Sequence, residues 1–256
     1  MDYFTWWLAI AVFFHQFQCP DAGHKKVKAH EKAVVTTDGC KTTLGQEKRK
    51  CEKGSMLPCL KNRTALESLK GQLVLCDTKT DGGGWVIIQR RIKGDVEFEN
   101  KTWAQYRDGF GSFDGDLWIG NAMIRKLTHA GYTNLRIDME YHGEKLHALY
   151  THFKVKEESH FYQMSYKGFS GNVRHDDFKS SNGMKFATFD FPDNGCSLWY
   201  GRTGWWWQVS KASCGATNLN GIWACKDYGK GIYWVAHTTN QRSLSFVEMK
   251  LRKSDP

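Results

Sequence analysis

Between Phe169 and Trp234 the chain is rich in Gly, Asn, Ser and Trp and poor in Val, Ile and Leu. Such a stretch has little aliphatic area to align on one face, so it forms few regular elements. It needs other supports, such as disulfides or a bound ion. It reads as a loop-built functional region carried on a scaffold.

The scaffold lies on either side. Gln72 to Cys76 and Trp85 to Arg91 are short runs of β-formers flanking Asp81-Gly82-Gly83-Gly84, a strong turn signal. Thr102 to Arg107 and Gly120 to Thr128 have helical spacing, with Ile119, Met123, Ile124 and Leu127 on one face and Asn121 as the expected cap. Leu135 to Tyr141, Leu146 to Val155 and Phe161 to Tyr166 alternate, and Ser243 to Leu251 alternates again as a closing strand. Together they predict an antiparallel sheet with one buried face, hence an α+β fold.

Residues Trp6 to Phe14 form a nine-residue apolar run. A membrane helix needs about 20 such residues, so no transmembrane span is expected. The run suits a secretory signal over residues 1–19, with its end between 18 and 23, although it lacks a basic start and a clean small-residue cleavage site. Cleavage after Cys19 leaves Cys40, Cys51, Cys59, Cys76, Cys196, Cys214 and Cys225, an odd set. An odd count in a secreted chain points to an unpaired or interchain thiol and a disulfide-linked homo-oligomer. No Cys-x-x-Cys occurs, which argues against zinc or thiol redox chemistry. Asn62-Arg63-Thr64 and Asn100-Lys101-Thr102 are glycosylation sequons, consistent with an extracellular, secreted protein.

The net charge is +9. Residues 24–53 hold nine basic and four acidic side chains, or +5 of that total, with no Trp, Phe or Tyr. Residues 20–50 therefore read as a solvated basic leader outside the core. Charge concentrated in a secreted leader does not point to nucleic acid. No HExxH, HxH or Gly-x-Ser-x-Gly frame occurs, and Gly82-Gly83-Gly84 lacks the Lys-Ser/Thr of a phosphate loop. No enzyme is expected.

Several motifs converge in order over residues 51–252, leaving 253–256 as a tail. They are Thr80-Asp-Gly-Gly-Gly-Trp85 with Gln89-Arg90-Arg91, Asp108-Gly-Phe-Gly111 with Leu117-Trp-Ile-Gly-Asn121, and Gly168-Phe-Ser-Gly171. Asn182-Gly-Met-Lys-Phe186, Asn218-Leu-Asn-Gly221, Gly231-Ile-Tyr-Trp234 and Glu248-Met-Lys-Leu-Arg252 follow. The series resembles the fibrinogen C-terminal domain family, which includes ficolins, tachylectins and angiopoietins. Cys51-Glu-Lys-Gly-Ser-Met56 and Leu75-Cys-Asp-Thr-Lys-Thr80 are similar to snail fibrinogen-related proteins. The resemblance implies a small N-terminal subdomain, a central antiparallel sheet with helices, and a loop-rich C-terminal subdomain. It implies the disulfides Cys51–Cys76 and Cys196–Cys214. Cys40–Cys59 is a further expected bridge, with Cys225 left over; sequence alone does not rank the alternative pairings.

The resemblance also implies a ligand site for acetylated groups, with an aromatic pocket, backbone N–H donors and a cis peptide before the Cys. Here the candidate residues are Trp207, Gln208, Cys214, Gly215, Ala216, Tyr228 and Gly229. Gly215 stands where the family has His, Gln208 where it has Tyr, and Gly229 where Ala is frequent. Of Trp205, Trp206 and Trp207, alternation predicts at least one buried and one facing solvent. Calcium is the one cofactor the resemblance implies. The loop Asp190-Phe-Pro-Asp-Asn-Gly-Cys196 is shorter than the family's, and Pro192 replaces a usual carboxylate. Asp190, Asp193 and Asn194 remain as metal candidates, with too few charged oxygens for the six to eight that a calcium site takes. The expected function is lectin-like binding of microbial or surface glycans in innate defence. A secreted ligand whose loop face meets a receptor protein, in the manner of angiopoietins, is the alternative.

Overall fold

The computed structural model describes Cys19, the backbone of 66–69 and of Gln72, and residues 73–192, 195–209 and 213–254. The apolar run, the basic leader, Cys40, Cys51, Cys59, Asn62, Asp193 and Asn194 lie outside the described residues.

Among the described residues, nine strands make one antiparallel sheet: β1 (Leu66–Leu69), β2 (Gln72–Asp77), β3 (Trp85–Arg91), β4 (Phe110–Gly111), β5 (Leu117–Trp118), β6 (Asn134–Tyr141), β7 (Glu144–Val155), β8 (Met164–Gly171) and β11 (Phe246–Arg252). The order is β1-β2-β3-β11-β6-β7-β8, so the last strand closes the middle of the sheet between β3 and β6. The helices α1 (Trp103–Asp108) and α2 (Asn121–His129) precede β6.

One face follows the alternation read from the sequence. Leu135, Ile137 and Met139 of β6, Leu146, Ala148 and Tyr150 of β7, and Val247, Met249 and Leu251 of β11 all enter the core. Removing each of the Leu, Ile, Val and Met side chains from water stabilises the fold by about 1.5–3 kcal/mol. The opposite face of β11 is also covered. Lys250 is buried and paired with Asp77, with Asp138 at 2.6 Å and with Glu248 at 3.1 Å. Burial alone would raise the Asp77 carboxyl, but hydrogen bonds from Lys250, Thr80 and Lys79 hold it well below the usual carboxylate range.

Two local expectations are corrected. Asn121 does not cap α2: Gly120 is the cap, and Asn121 begins the helix with a buried amide. The strand expected from Phe161 starts at Met164, because Phe161 and Tyr162 take left-handed φ values of 54° and 46°. It then runs on to Gly171, pairing with β7 inside what was read as loop.

The loop-rich part holds only short elements: α3 (Cys196–Trp199), β9 (Thr217–Asn218), β10 (Tyr233–Trp234) and α4 (Val235–Thr238). Its chains approach closely. A Cβ on Gly221 would lie 1.9 Å from the Gly231 carbonyl oxygen, so no side chain fits there. Aromatic packing welds it to the sheet. Trp118 stacks on Phe186 at 5.9 Å, Trp206 meets Phe186 at 5.1 Å, and Trp205 meets Phe178 at 5.9 Å.

Candidate functional site

Trp205, Trp206 and Trp207 are all buried, at 0%, 0% and 1% exposure, so the expected solvent-facing ring is absent. Alternation does separate neighbours, but here every side is covered. Trp206 enters the aromatic core and donates its Nε1 hydrogen to the Tyr162 carbonyl at 2.8 Å. Trp207 packs against Tyr200 at 5.7 Å instead of lining an open pocket.

Cys196 is bonded to Cys214, fastening α3 to the loop that leads into β9. Cys76 is also disulfide-bonded, and the cysteines expected near it lie outside the described residues. Cys225 is not left over. Its buried sulfur is bonded to Cys19, the residue read as the end of a removed signal, at a Cα separation of 4.3 Å. Retaining Cys19 makes the cysteine count even, and the thiol invoked for an interchain link is already paired.

The backbone donors near Cys214 are occupied. The Gly215 N–H donates to Ser213 Oγ at 3.1 Å, and the Ala216 N–H donates to Ser180 Oγ at 2.9 Å. Gly215 has φ +112°, a conformation that suits glycine and strains a histidine, so this loop is shaped unlike the one the resemblance implies. No cis peptide occurs among the described residues, so the Ser213–Cys214 bond is trans. Gln208 is half-buried beside Gly215.

Tyr228 is 61% exposed. It borders an open cavity of about 380 Å³ lined also by Val235, Thr239, Asn240 and Gln241. Asn240 Nδ2 donates to the Tyr228 hydroxyl at 3.1 Å, and the Gly229 N–H donates to the Asn240 carbonyl at 2.6 Å. Gly229 is needed because a Cβ there would strike the Tyr200 ring at 2.3 Å. Tyr200 in turn reaches Tyr228 at 6.3 Å and Tyr233 at 6.5 Å. Val235 N–H donates to the Ala216 carbonyl at 3.1 Å, joining the cavity wall to the Cys214 loop. Sequence reasoning missed Ser180, Tyr200 and the cavity run Thr239-Asn240-Gln241. That polar run beside Trp234 was the available signal.

Behind these loops, Asp176 accepts from Tyr150 at 2.8 Å and from Tyr166 at 3.1 Å, and Asp177 accepts from the Ala236 N–H at 2.6 Å. Burial pushes the Asp177 carboxyl and both phenols up. These groups are spent on positioning the loops.

Of the calcium candidates Asp190 alone is described, and its carboxylate is engaged within the protein. Asp190 Oδ1 accepts from the Trp103 N–H at 2.9 Å and from Thr188 Oγ at 2.7 Å, so the carboxylate serves the start of α1. Among the described residues, the one group of three metal-type side chains is Cys19, Cys225 and Asp227, and both sulfurs there are in a disulfide.

No described helix is long and apolar enough to cross a membrane. The family model for fibrinogen beta and gamma chains, C-terminal globular domain, matches residues 41–254, starting within the basic leader. Human angiopoietin-related protein 7 is 37% identical over 71% of this chain and 53% of its own length. Tenascin-R from Homo sapiens is 36% identical over 70% of this chain but only 13% of its own length. The chain thus spans well under two thirds of these curated relatives. Among solved structures, the fibrinogen-like globe domain of human ANGPTL2 matches with a TM-score of 0.68 and 32% identity, covering 76% of this chain and 94% of that one. A lamprey fibrin D-dimer complexed with the peptide Gly-His-Arg-Pro-amide matches with a TM-score of 0.62 and 26% identity, covering 81% of this chain and 80% of that one. The α+β globe with its central antiparallel sheet is the architecture of a non-catalytic, extracellular, disulfide-bonded family, and the chain belongs to it: the fibrinogen C-terminal globular domains.

Proposed function

We propose that the chain is a secreted recognition protein whose loop face around Tyr228 binds a surface glycan, in the manner of the invertebrate lectins that residues 51–56 and 75–80 resemble. The exposed Tyr228 ring at the mouth of the cavity carries this reading. An aromatic face offers apolar contact to the C–H side of a sugar, while Thr239, Asn240 and Gln241 supply hydroxyl and amide groups for its edge. Acetyl recognition through backbone amides has little support, because Gly215 and Ala216 already donate within the protein. Several copies on one surface would strengthen a weak single site. A glycan array probed with the purified protein, with and without a calcium chelator, tests the reading. Saturable binding that the chelator does not change supports it; no glycan binding sinks it.

A receptor protein is the second reading. Exposed Leu198 and Trp199, adjacent on α3, favour it, since neighbouring apolar side chains bared on a surface are the stuff of protein interfaces. The peptide bound by the lamprey relative is support of the same kind.

A further inference from the structure

Trp199 is 79% exposed, beside exposed Leu198 on α3. Every other described tryptophan is buried or partly buried. A bare Trp-Leu pair on a secreted globe calls for a cover.

The neighbour of α3 supplies one. The Arg202 N–H donates to the Ser197 carbonyl at 2.7 Å, so Arg202 is seated at the end of α3. Its guanidinium lies over the Phe189 ring at 4.1 Å and donates from Nε to Asn100 Oδ1 at 2.6 Å. The Asn100 N–H donates to the Arg202 carbonyl at 3.0 Å. Asn100 is therefore linked to α3 through Arg202. It is exposed, and its φ of 58° is a left-handed value that asparagine tolerates. The side chain engages through Oδ1, while Nδ2 has no hydrogen-bond partner among the described residues. Asn100 opens the sequon Asn100-Lys101-Thr102.

We propose that Asn100 carries an N-linked glycan whose first sugars lie against Leu198 and Trp199. This rests on the secreted reading above. In the transfer, Asn100 Nδ2 bonds to the anomeric carbon of a sugar and loses one proton. The bond from that carbon to a lipid diphosphate donor breaks, and the diphosphate leaves with the electron pair. Transfer acts on the nascent chain, so the fold has only to leave the sugar room. The product is a secondary amide that keeps its carbonyl oxygen, so the bond from Arg202 survives and aims the glycan. The indole face then meets the C–H side of the first sugars.

The test is expression of the full chain in a secretory eukaryotic host. Protein in the medium is treated with a peptide amidase in heavy-oxygen water, which converts glycosylated Asn to labelled Asp. A labelled tryptic peptide covering residues 94–101 supports the site; an unlabelled one in secreted protein overturns it. A chain retained inside the cell, with Asn62 also bare, fails the secreted reading instead. Acrylamide quenching of tryptophan fluorescence tests the cover. Quenching should rise at least twofold on glycan removal, and the rise should vanish in W199F. Unchanged quenching overturns the contact. N100Q should behave like the enzymatically trimmed protein; if it does not fold, the trimmed wild type carries the measurement alone.

Discussion

The Ala216 N–H donates to the Ser180 hydroxyl at 2.9 Å, and that hydroxyl donates onward to the Asp177 carbonyl at 2.9 Å. One serine thus ties the Cys214 loop to the segment behind it. S180A leaves the amide without its acceptor and should cost about 1 kcal/mol. Chemical denaturation reads this directly. Glycan binding should stay within about twofold, because this amide does not face the ligand; a loss of more than tenfold would mean that it does.

Removing the Cys196–Cys214 bridge frees a loop with a sequence separation of 18. The double variant C196A/C214A should lose about 3 kcal/mol by loop-closure entropy. Thermal unfolding would then fall by roughly 6–12 °C for a domain of this size. An unchanged midpoint would show that aromatic packing alone holds α3.

His237 gives a pH test. Its Nε2 accepts from the Arg174 N–H at 3.1 Å, which requires neutral imidazole on that side. Burial first, then the Arg174 charge, lowers its pKa, with His175 acting the same way and Glu144 opposing. The unfolded chain therefore takes up the proton first as pH falls. Its contribution to stability is present above the ordinary imidazole value of about 6.5 and is lost as pH drops through the lower folded value. H237Q should flatten that part of a stability profile measured from pH 8 to 5. A profile that H237Q leaves unaltered would remove His237 from the account.

Arg91 and Asp116 form a buried pair at 3.0 Å, with Arg91 also over the Phe98 ring at 3.9 Å. Asp116 accepts from the Ile92 and Lys93 N–H groups at 2.7 and 3.0 Å as well. D116A strands a buried cation and should cost roughly 3–5 kcal/mol. R91M/D116A should cost less than D116A alone. If the double variant is the less stable one, the pair contributes more than the relief of an unpaired charge.

The sheet was legible because its period is local. β3 runs over Trp85 to Arg91 as read, and β6 shows the buried alternation of its sequence, whereas β11 is buried on both faces. Helix spacing gave α1 and α2 to within a residue, but the cap of α2 was misjudged because Asn121 was wanted in the interior. The site was less legible. The Ser180–Ala216 bond, the Tyr228–Asn240 bond and the Cys19–Cys225 disulfide join positions that no periodicity connects. The tryptophan run misled because alternation assumes a face turned to solvent, and this run has none.

As the recognition platform, Tyr228 should carry most of the glycan affinity, and one comparison reads this directly. Wild type and Y228A are titrated against whichever array glycan binds best. Tyr228 is mostly exposed, so Y228A should unfold like wild type. Loss of the ring should weaken binding by about tenfold or more, the equivalent of about 1.4 kcal/mol. Equal affinities for the two proteins would place the ligand elsewhere on the globe and contradict the account.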